Sequence, residues 1–289
     1  MYFRGVYTAL VTPFAEKGGV DWEKLAELVE FNVSAGVDGL VPVGTTGESP
    51  TLSMKEHLKV IETTVRAAAG RCKIVAGTGA NSTAEAIDLT AAAKAFGADG
   101  TLQVTPYYNK PNAAGLVRHF SAVADLGVPV VLYNVPGRAA KEIPVDVIAE
   151  LSKHEHVVSV KEAGGSADRV SAIKEACEIE VLSGDDSLAL PMISVGACGV
   201  ISVASNLIPG EVGALIRAAL AGDFAQALEL HRKYYRLFRD LFVDTNPIPI
   251  KAALAMKGMI EETYRLPMCA MDDAKKATLR ETMKNAGVL

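Results

Sequence analysis

Along the chain, short runs of β-branched and apolar residues ending in Gly, Ser, Thr or Asn alternate with longer stretches whose apolar positions recur every three or four residues. The first pattern is that of strands and the second that of amphipathic helices. Strands are predicted at residues 6–14, 39–44, 73–79, 100–106, 129–136, 157–163, 179–184 and 199–205. The runs at 128–132 and 157–160 are almost continuously apolar, as expected of parallel strands covered on both faces. An open sheet would share that property, so the count of eight decides for closure. Helices are predicted after Ser53 (54–69), after a capping box from Ser82 to Glu85 (86–96) and after Ser166 (167–177). Right-handed crossovers of this kind close into an α/β fold, a (β/α)8 TIM barrel, whose functional residues lie at the C-terminal ends of the strands.

After Pro209 the strand pattern stops, and Phe224, Ala227, Leu228, His231, Tyr235, Phe238 and Leu241 recur at helical spacing. Two more helices are expected at 248–260 and 272–286, separated by a turn-like stretch at 263–268. The expected organisation is a barrel domain at 1–222 followed by a C-terminal α-helical domain at 223–289, a layer that often supplies a subunit contact.

A length of 289 residues suits one such barrel with an extension, since barrels commonly run to ~250 residues. The net charge of −5 and the lack of a basic helix face argue against a nucleic-acid partner and for a small-molecule one. No segment has the ~20 apolar residues of a membrane span, and no cleavable leader is visible, so a cytoplasmic protein is expected. Cys72, Cys177, Cys198 and Cys269 form no C-x-x-C pair, which leaves neither a zinc ribbon nor a dithiol motif.

Chemistry is concentrated in the loops that leave the strands. Lys161 ends an apolar strand and should project into the barrel mouth, where burial disfavours the ammonium and frees the amine to attack a carbonyl. The competing reading pairs it with a carboxylate such as Glu162. The loop Gly44-Thr45-Thr46-Gly47-Glu48-Ser49 lacks the Gly-Lys-Ser/Thr of a phosphate loop, and Gly77-Thr78-Gly79 lacks the third glycine of a dinucleotide fingerprint. What remains is a hydroxyl-rich turn suited to a carboxylate or oxyanion. Tyr133 and Tyr108 offer phenols for proton transfer or are simply packed aromatics. Arg138 could clamp a carboxylate or stand alone at the surface. His154 and His156 precede a strand, and His57, His119 and His231 fall in helix patterns, so no catalytic metal is expected.

Together, Gly44-Thr45-Thr46-Gly47-Glu48, Tyr107-Tyr108-Asn109, Tyr133-Asn134-Val135-Pro136, Arg138, Lys161-Glu162-Ala163 and the stretch from Asn246 to Lys251 resemble the dihydrodipicolinate synthase family over the whole chain. The resemblance implies that Lys161 forms a Schiff base with pyruvate and that the enamine attacks L-aspartate 4-semialdehyde, without metal or organic cofactor, in lysine biosynthesis through diaminopimelate. It makes Tyr133, Thr45 and Tyr108 a proton relay, with Tyr108 reaching in from a neighbouring subunit of a dimer of dimers. It assigns Thr46 and backbone groups near Val203 to the pyruvate carboxylate, Gly184 to the pocket wall and Arg138 to the aldehyde substrate. His57, Asn81, Glu85 and Tyr107 match an inhibitory L-lysine site, although Pro50 and Met54 replace polar residues there. Ala139 and Ala140 stand where Thr-Gly is common. Rival readings are an aldolase for N-acetylneuraminate or a 2-keto-3-deoxy sugar acid using the same lysine, a keto-acid sensor without catalysis, and a metal-dependent barrel hydrolase.

Overall fold

The structure, a computed structural model, describes residues 2–289. Eight strands, β1 (Gly5–Ala9), β2 (Gly39–Val41), β3 (Lys73–Gly77), β4 (Gly100–Val104), β5 (Val130–Asn134), β6 (Val157–Glu162), β7 (Glu180–Ser183) and β8 (Gly199–Ser202), pair in parallel and in sequence order, and β8 returns to β1 to close the barrel. Each starts within one residue of its expected place and stops sooner, because the ladder ends where the loops peel away towards the mouth. The difference is largest after β1: the apolar run continues through Leu10, Val11 and Phe14, but Phe14 bridges antiparallel to Val20 instead of extending the barrel.

Between and after the strands lie α1 (Trp22–Ser34), α2 (Met54–Ala68), α3 (Thr83–Phe96), α4 (Ala113–Ala124), α5 (Pro136–Ala139), α6 (Val145–Leu151), α7 (Ala167–Ala176), α8 (Ala189–Ser194) and α9 (Pro209–Leu220). The chain ends with α10 (Phe224–Asp240), α11 (Ile248–Met256) and α12 (Asp273–Asn285). The complete capping box belongs to α2, where Ser53 and Glu56 exchange bonds between side chain and backbone. At α3 the Glu85 N–H reaches the Ser82 hydroxyl at 3.5 Å, the first half of the box expected there. Ser166 precedes α7 without a side-chain capping bond. Asp223 caps α10, which packs on α9, and α12 packs on both α10 and α11. Among the described residues no helix is long and apolar enough to cross a membrane.

Apolar side chains pack both between barrel and helices and inside the barrel. The lower interior is filled by Phe3 and Tyr7, both 1% exposed, with ring centroids 5.8 Å apart in an edge-to-face contact. They fit because Gly39 and Gly100, at the first positions of β2 and β4, leave room: a Cβ there would lie 2.3 Å from the Tyr7 ring or 2.5 Å from the Phe3 ring. Closure itself depends on a backbone contact. A Cβ on Gly199 of β8 would fall 2.1 Å from the carbonyl oxygen of its partner Gly5 on β1. Gly199→Ala is therefore expected to lower stability by about 1–3 kcal/mol or more. Gly210→Ala, in open space at the start of α9, should be neutral or slightly stabilising; urea denaturation of the two variants checks the contrast.

Candidate active site

Side chains of a strand alternate between faces, and at the end of β6 this separates two neighbours. Lys161 points into the barrel mouth, 6% exposed, with its Nζ 4.2 Å from the ring centroid of Tyr133, its register partner on β5. Glu162 points outward and is fully buried, where its carboxylate accepts from Asn134 Nδ2 (2.9 and 3.0 Å), the Gly164 N–H (2.6 Å) and Arg169 Nε (2.8 Å). The alternative pairing of Lys161 with Glu162 is thereby ruled out, and among the described residues no carboxylate pairs with Lys161. Gly184, just past β7, gives the lysine its space: a Cβ there would meet Ala163 Cβ at 2.7 Å and Lys161 Cε at 3.1 Å.

The loop after β2 supplies the hydroxyls. Thr46 is buried and its Oγ1 accepts from Asn246 Nδ2 at 3.0 Å, while the carbonyl of Asn246 accepts from Arg138 Nη2 at 3.0 Å. One residue of the C-terminal extension thus ties Thr46 to Arg138, whose other N–H donors remain for a ligand. Arg138 rides on the four-residue α5, begun by Pro136 and ended by Ala140 at φ 52°. That left-handed position explains why alanine is an awkward substitute for glycine there, yet the turn forms.

Thr45, Tyr133 and Arg138 line one cleft of about 550 Å³. Lys161, Thr46, Gly184 and Val203 are not among the residues that line it, but Lys161 Nζ lies over the ring of Tyr133, which is. His57, Glu85 and Tyr107 line the same cleft, so three of the four residues matched to a lysine site share it; Asn81 lies beside it, its carbonyl accepting from Asn109 Nδ2 at 2.8 Å. His57 Nε2 donates to the Gly77 carbonyl at 2.9 Å, and burial holds its pKa below the ordinary imidazole value. Burial, reinforced by Glu85, raises that of the Tyr107 phenol. Tyr108 stands apart: it is 91% exposed, has φ 72°, and is not among the residues lining its own chain's cleft.

Near β8 the structure alters the expectation for Val203. Its N–H donates to Asp186 Oδ2 at 3.0 Å and its carbonyl accepts from Asn206, so the backbone groups matched to a substrate carboxylate already have partners within the chain. Among the described residues no group of three or more His, Cys, Asp or Glu is arranged to hold a metal ion.

The sequence model described as the Dihydrodipicolinate synthetase family matches residues 2–286. A 4-hydroxy-tetrahydrodipicolinate synthase of Aquifex aeolicus is 52% identical, over 98% of this chain and 97% of that protein. The chain belongs to the dihydrodipicolinate synthetase family. Two structures of the family add ligands. A chloride-inhibited dihydrodipicolinate synthase from Acinetobacter baumannii complexed with pyruvate superposes with a TM-score of 0.97, at 43% identity and 99% coverage of both chains. A synthase of the family from Cyanidioschyzon merolae with lysine bound has a TM-score of 0.97, at 39% identity, covering 100% of this chain and 99% of that one.

Within this member of the family, three groups escaped the sequence reading. Asn134 and Arg169 hold Glu162; Glu48 and Lys251 form a buried ion pair at 2.6 Å; and Asp186 gathers the turn after β8. Glu48, Asn134, Glu162 and Lys251 lay in stretches already singled out, but without these partners, whereas Arg169 and Asp186 did not. The fully buried Asp186 accepts from the Ser202 hydroxyl (2.5 Å) and from the N–H groups of Val203 and Ala204 (3.0 and 2.9 Å). Burial nevertheless pushes its carboxyl up to about 6, against those donors and with help from the charge of Asp185. A folded value above the unfolded one stabilises the native state at low pH, and that contribution is lost as pH rises through about 6. The stability of the native protein minus that of Asp186→Asn should therefore fall by on the order of 2–3 kcal/mol between about pH 4 and pH 7. Urea unfolding across that range tests this; a difference that grows with pH would contradict it.

Proposed function

We propose that Lys161 forms an imine with pyruvate and that the derived enamine condenses with L-aspartate 4-semialdehyde. The activity class is that of the family: the chain is a lyase with 4-hydroxy-tetrahydrodipicolinate synthase activity, acting in lysine biosynthesis through diaminopimelate. The observation that carries the mechanism is the placement of Lys161, buried at the C-terminal end of a barrel strand, against the face of Tyr133 and free of any carboxylate. The relative complexed with pyruvate supports the choice of ketone.

In this reading the Lys161 amine attacks C2 of pyruvate, and the carbinolamine loses water to give the imine. Loss of a C3 proton gives the enamine, whose C3 adds to the aldehyde carbon of the second substrate. The substrate amine then attacks C2, closing the ring and expelling the Lys161 amine. Tyr133 and Thr45, which line one cleft, carry protons in these steps. Thr46 and Gly184 shape the pyruvate site, with Val203 packing at its edge, and Arg138 holds the carboxylate of the aldehyde substrate through the donors Asn246 leaves free. His57, Glu85, Tyr107 and the neighbouring Asn81 form the place for L-lysine as an inhibitor, in keeping with the lysine-bound relative. Borohydride reduction in the presence of pyruvate should add one reduced pyruvate to the Lys161 peptide and abolish turnover, and Lys161→Ala should do neither trapping nor synthesis. Full activity of that variant would reject the mechanism.

The outward phenol of Tyr108 completes the relay of a second copy of the chain, so the working unit is at least a dimer. Tyr108→Phe and Lys161→Ala should each be nearly inactive alone. Unfolded together and refolded as mixed dimers, they should regain activity, because one site then combines an intact Lys161 with an intact Tyr108. Absence of recovery in verified mixed dimers would place Tyr108 outside the relay.

A further inference from the structure

The loop that carries Thr45 and Thr46 is held in an uncommon backbone state. Val43 and Glu48, at its two ends, have φ of 50° and 53°, a left-handed conformation that is costly for residues with a Cβ and most of all for a β-branched one. Local bonds support the turn: the Glu48 N–H donates to the Thr45 carbonyl at 3.1 Å, and the Thr12 hydroxyl donates to the Gly47 carbonyl at 2.7 Å. Neither bond requires glutamate at position 48. Its side chain nonetheless turns inward, 3% exposed, and Oε1 accepts from Nζ of Lys251, itself 0% exposed, at 2.6 Å. That Nζ also lies 4.1 Å from the centroid of the Phe14 ring, while Glu48 Oε2 has no hydrogen-bond partner among the described residues.

Such a pair is a poor way to gain stability, since two well-packed apolar side chains would usually do as well or better. It does specify one geometry. It joins the loop after β2 to α11, and from there two lines of bonds return to the threonines: Glu48 N–H to the Thr45 carbonyl, and Asn246 Nδ2 to Thr46 Oγ1. We propose that Glu48 and Lys251 are positioning residues whose buried ion pair latches the strained 44–48 segment to α11 and so fixes the Thr45 hydroxyl for proton transfer at the imine. This deepens the proposed function and rests on it for the role of Thr45.

The test uses the double variant Glu48→Leu/Lys251→Met, which removes both charges together and leaves neither stranded, in the intact oligomer. Three readouts are compared with the native protein: thermal midpoint, borohydride trapping of pyruvate on Lys161, and exchange of the pyruvate methyl protons in D2O without aldehyde. The expected result is an unchanged or higher midpoint and undiminished trapping, with methyl exchange slowed roughly ten- to hundredfold, as for a proton-transfer group displaced by about an ångström. Should the double variant fail to fold, Lys251→Met with Glu48→Gln, which removes both charges while keeping the volume of residue 48, is read in the same assays and should slow exchange but not trapping. Exchange at the native rate overturns the proposal, and so does a loss of trapping equal to the loss of exchange, which would make the pair general scaffolding. Failure of the native protein to trap pyruvate would instead strike at the proposed function itself.

Discussion

The outward-facing carboxylate of Glu162 is what the mouth of this barrel is built around. It is fully buried and would be prohibitively costly to desolvate alone, but the Asn134 amide, the Gly164 N–H and the Arg169 guanidinium together satisfy it. Arg169 extends the hold to the side chain of Glu142 and the carbonyl of Ile143, and Asn134 accepts from the Ile143 N–H, so the chain leaving β5 is clamped to the chain leaving β6. The residues one step further in are Tyr133 and Lys161, already in register across the same two strands. Rigidity outside the barrel thus becomes alignment inside it. The same arrangement also removes the nearest negative charge from the lysine and leaves it an aromatic face.

The C-terminal extension has a second task besides covering the barrel. Asn246 reaches both Thr46 and Arg138, Lys251 reaches Glu48, and Arg265 bonds Glu56 at the start of α2 and the carbonyls of Gly18 and Thr51. Its contacts gather on the loops after β1, β2 and β5. Segments more than a hundred residues apart in sequence therefore meet at one end of the fold, and the substrate-facing loops are braced from behind as well as from the strands that launch them.

How much of this could be read from the letters depends on the range of the interaction. Strand identity and order were legible because burial on both faces leaves a local apolar signature, and Lys161 was legible because a lysine at the end of such a run has nowhere apolar to hide. The choice between amine and ion pair was not legible, since it turned on which side of β6 Glu162 faces and on Arg169 arriving from the next helix. Lys251 escaped for the same reason: α11 is apolar nearly all round, with Ile248, Ile250, Ala252, Ala253 and Leu254 buried, and nothing nearby in sequence announces a carboxylate 203 positions earlier. The bonds from the backbone of Val203 and Ala204 to Asp186 were not legible either, since that carboxylate arrives from the loop after the preceding strand. Capping signals were readable in kind but not in strength, as the contrast between Ser53, Ser82 and Ser166 demonstrates.

The aromatic stopper formed by Phe3 and Tyr7 has a consequence for traffic. With those rings filling the interior towards the N-terminal ends of the strands, the open approach to Lys161 and Tyr133 is from the opposite end, where the loops stand. The stopper thus gives the barrel two unlike ends, one spent on packing and the other left to the loops.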